Sequence, residues 1–270
     1  MKKFVWILIA SLLTVGCVVE QIDEHIVVDG WIEDGGYPVV ILTSSVAVVE
    51  GTMDNDDLQQ HVLKWGTVTV SDGENTVTLM GKQDDHYFPP YIYTTSSMKG
   101  QAGKTYTLHV KYGETEASAV TTIPAPQTLD KIEPNITEDG ATIRVGLTPQ
   151  DDSYYFFFSK RAQKDSTYLP CLYTLIDGSA VSGYYESLVF RGFDVMGSEY
   201  KWLYEPGDHV RVRFCTLDQN AYNYWKGLAD EWTFSRNPFL PIQVTAPSNV
   251  VGGYGYWAGY GSTYYDVDIP

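Results

Sequence analysis

The sequence predicts an all-β protein of two β-sandwich domains, the first immunoglobulin-like and the second carrying one aromatic helix near residues 218–232. Three observations predict it. Short alternating or β-branched runs bounded by Gly, Pro, Asn and Asp recur about every ten residues. Helical periodicity is confined to one late stretch. In IPAPQ, residues 123–127, two prolines remove backbone donors and force extended geometry, so a sheet ladder should stop midway along the chain. At 270 residues and 44% hydrophobic, each half is long enough to bury a core.

The N-terminus is a separate matter. Lys2 and Lys3 precede FVWILIASLLTV, an apolar run too short to span a bilayer, so residues 1–16 are expected to be a secretory signal peptide. The run ends in LTVGC, which resembles the lipobox at which bacterial lipoproteins are cleaved and acylated. Thr14 departs from the usual Leu, Val or Ile, as looser lipoboxes of the Bacteroidota type allow. Cys17 is the expected lipidation site and residues 17–24 the lipidated tether, anchored because each buried acyl methylene adds about 0.8 kcal/mol.

Residues 25–123 form the first predicted domain. Its strands are HIVVDGWI (25–32), YPVVILTSS (37–45), GTVTVSD (66–72), NTVTLM (75–80), YIYTT (91–95), KTYTLHVKY (104–112) and EASAVTTI (116–123). In KTYTLHVKY, Tyr106, Leu108 and Val110 share one face and Thr105, Thr107 and His109 the other, as a half-buried strand requires. Residues 128–270 form the second, with ATIRVGL (141–147), SYYFFFSK (153–160), PCLYTLI (170–176), ESLVFRG (186–192) and DHVRVRFCTL (208–217). Pro206 and Gly207 set up a turn before the last of these. In DQNAYNYWKGLADEW, Asp218 can cap the first turn, and Ala221, Tyr224, Trp225, Leu228 and Trp232 make one apolar face expected to pack on a sheet. RNPF breaks the helix, and two strand-like segments follow from IQVTAP to the end.

Two aromatic stretches are candidates for ligand contact. KQDDHYFPPYIY (82–93) places Tyr87, Phe88 and Tyr91 on a loop stiffened by two prolines, where rings can stack on sugar or peptide at low entropic cost. GGYGYWAGYGSTYY (252–265) supplies Tyr254, Tyr256 and Trp257. Its glycines also suit a closing hairpin of the second sandwich, in which rings cover bare backbone across the ladder.

No catalytic residue is assigned, since HExxH, GxSxG and the phosphate-binding glycine patterns are missing. No cofactor is expected. Asp54, Asp56 and Asp57 in TMDNDDLQQ (52–60) offer hard oxygen donors but lack the glycine and distal glutamate of an EF-hand loop, so no metal is expected and the stretch reads as a solvated loop. Asp84, Asp85 and His86 belong to the aromatic loop. Cys171 and Cys215 both fall in strand-like runs, and sequence leaves their pairing open. The net charge of −16, which becomes −18 once Lys2 and Lys3 leave with the signal peptide, argues against nucleic acid as a partner.

Taken together, the lipobox, HIVVDGWIEDGGYPVVILTSS, the GTVTVSDGENTVTL hairpin, GKTYTLHVKYG followed by TTIPAP, the aromatic helix with NPF, and SNVVGGYGYWAGYG carry a resemblance over nearly the whole mature chain. The sequence is similar to a Bacteroidota outer-membrane lipoprotein family catalogued as a domain of unknown function and commonly encoded beside TonB-dependent receptors. The resemblance implies a lipid-anchored outer-membrane accessory to such a receptor in nutrient capture or uptake; the missing motifs add the expectation that it is non-catalytic, and the aromatic stretches that a glycan or peptide could be its ligand. Glu20, Asp23 and Glu24 beside the anchor are loosely similar to acidic surface-export signals, which implies the cell-surface face of the outer membrane, with the periplasmic face as the alternative. Two other classes stand beside it: a structural subunit of a surface fibre, which the lack of Lys or Arg from Cys17 to His25 counts against, and a glycan- or peptide-acting hydrolase, which needs only two well-placed carboxylates.

Overall fold

The computed structural model describes residues 25–45, 59–193, 201–235 and 247–270, with the main chain alone for 232–235. The leader 1–16, the tether 17–24 with Cys17, the loop with Asp54, Asp56 and Asp57, the RNPF stretch and most of IQVTAP lie outside the described residues. The fold is an all-β sandwich built on a large mixed sheet and a second, small one.

Alternation along each run makes the first strands: β1 (Ile26–Glu33), β2 (Val39–Ser44), β3 (Thr67–Ser71), β4 (Thr76–Gln83), β5 (Tyr91–Thr94), β6 (Thr105–Tyr112) and β7 (Thr115–Thr122). In β6, Tyr106, Leu108 and Val110 are buried while Thr105, Thr107 and His109 are exposed. Past the proline stretch come β8 (Lys131–Thr137), β9 (Gly140–Leu147), β10 (Tyr154–Arg161), β11 (Leu169–Pro170), β12 (Ile176–Asp177), β13 (Tyr185–Val189) and β14 (His209–Leu217). The helix α1 (Gln219–Ser235), β15 (Val250–Val251) and β16 (Gly253–Asp268) complete the order. Gly207, at φ 85°, takes the left-handed position of the turn closed by the Asp208 N–H on the Glu205 carbonyl, which aims β14.

Three segments depart from expectation. KIEPNIT forms β8, an edge strand of the small β13-β9-β8 sheet, where Pro134 is tolerated because one side of an edge needs no ladder donor. PCLYTLI is not a strand: the Thr174 N–H and hydroxyl both donate to the Cys171 carbonyl, at 3.0 and 2.6 Å, and curl the chain. Most consequentially, GGYGYWAGYGSTYY is not a hairpin within the second half. It belongs to the single sixteen-residue strand β16, which runs parallel to β1 from Ile26↔Gly253 to Glu33↔Tyr260 and antiparallel to β14 from Leu217↔Tyr260 to His209↔Asp268.

The large sheet is therefore continuous, in the order β11-β10-β14-β16-β1-β2-β5-β4-β3-β6-β7-β15. On one face it backs two cores. Val28, Val68, Val70, Leu108, Val110 and Trp257 belong to the first; Ile143, Val145, Phe157, Val212, Phe214 and Val267 belong to the second, which the small sheet helps enclose. Strand β16 thus contributes to both. Its glycines admit the chain that joins the halves: a Cβ on Gly259 would lie 2.7 Å from the Thr122 carbonyl oxygen, and one on Gly261 2.5 Å from that of Pro124. The connecting backbone lies directly on the strand, and the Gly259 N–H donates to the Thr121 hydroxyl at 2.7 Å.

The opposite face carries α1. Asp218 caps it, accepting from the Ala221 N–H at 2.8 Å and from the Thr121 hydroxyl at 3.1 Å. Trp225 docks the helix by stacking on Phe156 (4.8 Å) and donating its ring N–H to the Tyr260 hydroxyl (3.0 Å).

Candidate functional site

Because side chains alternate along a strand, the helix-bearing face collects Asp29, Trp31 and Glu33 from β1, Tyr256, Tyr260 and Tyr264 from β16, and Arg213 from β14. Helix α1 rises on one side of them and the 84–89 loop on the other. Between lies an open cleft of 1350 Å³, bordered also by the 164–172 segment. It is larger than the roughly 300–1,000 Å³ of ordinary small-molecule sites.

Arg213 anchors its centre. The guanidinium carbon lies 4.1 Å from the Phe158 ring centroid and 5.4 Å from those of Tyr168 and Tyr260, and Nη1 is 3.7 Å from Glu33 Oε2. Glu33 is held in turn by the Ser262 and Tyr264 hydroxyls, each donating at 2.7 Å. Four residues back along β1, about 13 Å at Cα, Asp29 pairs with Tyr256 on one side and Ile41 on the other. Its Oδ1 is shielded and has no hydrogen-bond partner. Burial raises the Asp29 carboxyl above the ordinary range, against a smaller opposite pull from the Tyr256 hydroxyl that donates to it. Burial likewise raises the Tyr256 phenol, and the Asp29 charge adds to the rise.

Of the aromatic candidates, Tyr87, Phe88 and Tyr256 line this cleft. Tyr87 lies 5.9 Å from Trp31 between ring centroids. Tyr91 turns the other way, edge-on to Tyr93 in the first core. Trp257, neighbour to Tyr256 but on the opposite face, is wholly buried there over Gly30, where a Cβ would come within 3.0 Å of its ring. Tyr254 is half-exposed, edge-on to His25. Asp84 is engaged locally: hydrogen bonds from Lys82 and then His86 bring its carboxyl down to about 2. Among the described residues no group of His, Cys, Asp and Glu is arranged to hold a metal ion.

Cys171 and Cys215 are free thiols in clusters on opposite faces of the sheet, which is why they do not pair. Burial pushes Cys171 up to about 12 and Cys215 up to about 11, so neither is a nucleophile at neutral pH.

Residues 15–266 match a single family. The chain belongs to the DUF4249 family, a domain of unknown function. None of the curated proteins matches this DUF4249 chain. Among solved structures, one described as "Cytokine receptor complex - Crystal form 1A" is similar over 88% of this chain and 94% of its own, at 10% identity and a TM-score of 0.25, too low to transfer a site. No helix among the described residues is long and apolar enough to cross a membrane.

The DUF4249 cleft has one ion pair whose titration is open to test. Asp165, on its border, accepts from Arg161 Nη2 at 2.7 Å and from the Arg161 backbone N–H at 2.7 Å, with Arg191 Nη2 3.8 Å away. Burial pushes this carboxyl up, but the Arg161 hydrogen bonds and the two positive charges outweigh it and hold it below the ordinary value. A depressed folded-state value gives stability that is complete above the unfolded value and lost as pH falls through the folded one. Asp165→Asn should therefore destabilise the protein at pH 7 by about 3 kcal/mol and flatten the acid limb of its stability curve. Urea unfolding from pH 7 to pH 3 measures both, and an unchanged acid limb would refute the assignment.

Proposed function

We propose that this protein is a non-catalytic outer-membrane lipoprotein, anchored through Cys17, that serves a TonB-dependent receptor as an accessory in nutrient capture or uptake. The observation that carries the capture part is the aromatic cleft, which unites rings from β1, β16, α1 and the 84–89 loop in one open concavity. The anchoring part rests on the leader and LTVGC, and the receptor on the family resemblance.

The two carboxylates that β1 presents to the cleft favour binding over hydrolysis. Asp29 and Glu33 are four residues apart on one strand, about 13 Å at Cα. The Glu33 carboxylate reaches forward to Ser262 and Tyr264, whereas Asp29 faces Tyr256, so the two diverge. Glycoside hydrolysis brings its pair within roughly 5–9.5 Å.

Affinity purification of the full-length tagged chain from solubilised outer membranes tests the proposal. A TonB-dependent receptor is expected to copurify, and Cys17→Ala is expected to release the protein into the soluble fraction and lose the receptor. Clean recovery without a receptor, from cells that express both, would sink it.

A further inference from the structure

Among the described residues, Asp29 is the carboxylate of the cleft that combines a shielded, unpartnered oxygen with the lack of a counter-charge. Arg213 is committed to Glu33 and wedged against Phe158, Asp165 to Arg161, and Asp84 to Lys82. Asp29 receives the Tyr256 hydroxyl, and among the described residues no cation pairs with it and its Oδ1 has no partner. A carboxylate oxygen shielded from water without a partner is costly, and a cationic donor entering the cleft would remove that cost.

The surroundings say what would. The Tyr224 and Tyr256 rings stack at 4.0 Å beside the carboxylate, Trp225 stands edge-on to Tyr256 at 5.7 Å, and Trp31 lies two residues along the same face of β1. Ring faces are electron-rich and attract cations, most strongly where water is excluded. The lining of the cleft carries six carboxylates against three Lys and Arg side chains, so its field draws positive ligands. Asp χ2 is a broad, two-fold torsion, so either carboxylate oxygen can turn toward the cleft.

Building on the cleft's role in ligand capture, we propose that it takes a ligand bearing an organic ammonium group, with Asp29 as counter-charge and Trp31, Tyr224 and Tyr256 as its aromatic cage. The rest of the cleft accommodates the body of the ligand. The raised Asp29 carboxyl agrees with this, since the bound cation would supply what burial removes.

The probes are choline and 3,3-dimethylbutan-1-ol, which has the same shape without the charge, titrated calorimetrically into the mature chain. Choline is expected to bind at least about tenfold more tightly. Nα-acetyl-lysinamide as a third probe distinguishes a peptide lysine from a quaternary ammonium, and a preference for either over the neutral alcohol supports the proposal. Asp29→Asn should bring choline down to the alcohol's affinity while its thermal midpoint stays level or rises, because a buried unpaired charge is gone. Tyr224→Leu should weaken choline several-fold and leave the alcohol nearly unchanged. Equal affinity for choline and the alcohol, no saturable binding of either ammonium, or full choline affinity in Asp29→Asn overturns it; preferential binding of a neutral glycan would do so as well. Copurification of a receptor with no ammonium binding would defeat this proposal alone, whereas ammonium binding without any receptor would defeat the accessory role and leave the site standing.

Discussion

Trp257→Ala is expected to cost about 3–5 kcal/mol of folding stability while leaving ligand capture intact. The ring is wholly buried in the first core, its N–H donates to the Tyr106 carbonyl at 3.1 Å, and it covers Gly30 on the paired strand. Truncation opens a cavity and strands that carbonyl together. The backbone of the same residue is bracketed by Asn249, which accepts from the Trp257 N–H and donates to its carbonyl, both at 2.9 Å. Urea unfolding measures the loss. Because Trp257 points away from the cleft, a folded variant should bind the same probes as the wild type; retained stability with lost binding would return the residue to a ligand-contact role.

Trp225→Ala should have a comparable cost with a different distribution. Trp225 stacks on Phe156, meets Phe158 edge-on at 5.3 Å and donates to Tyr260, so it is the main contact between α1 and the sheet. Its removal is expected to cost about 3–5 kcal/mol, concentrated in α1. Hydrogen exchange would show it: amides of α1 lose protection while those of β3 and β6, in the far core, keep theirs. Binding at the cleft should fall in parallel, since Tyr224 rides on the same helix and stacks on Tyr256. Uniform loss of protection across both halves would mean that α1 is an integral part of one cooperative core.

The strands were readable in advance because alternation is local. Nothing beyond KTYTLHVKY is needed to see that Tyr106, Leu108 and Val110 share a buried face. Asp218 as a helix cap and the Pro206–Gly207 turn were legible for the same reason. Strand β8 escaped because Pro134 and its polar neighbours look like a loop until the strand is placed at a sheet edge. The candidate site was only partly visible. Tyr87, Phe88 and Tyr256 stood out as aromatics, whereas Asp29, Glu33 and Arg213 did not. A signal was present at Asp29, a lone acid within IVVDGWI, and at Arg213, a cation on the alternating run VRVRFC. Neither shows its partner in the sequence.

By itself, the sequence determined the all-β character, the positions of most strands and the capped aromatic helix. Only the tertiary structure decided where GGYGYWAGYGSTYY goes. Its last strand pairs with β1, more than two hundred residues earlier, and then with β14, which puts Tyr256 into the cleft and Trp257 into the core on adjacent positions. The physical reason is that alternation divides a strand into two faces without naming either. Which face meets solvent, ligand or core depends on the neighbours that hydrogen-bond on each side, and here those neighbours come from opposite ends of the chain.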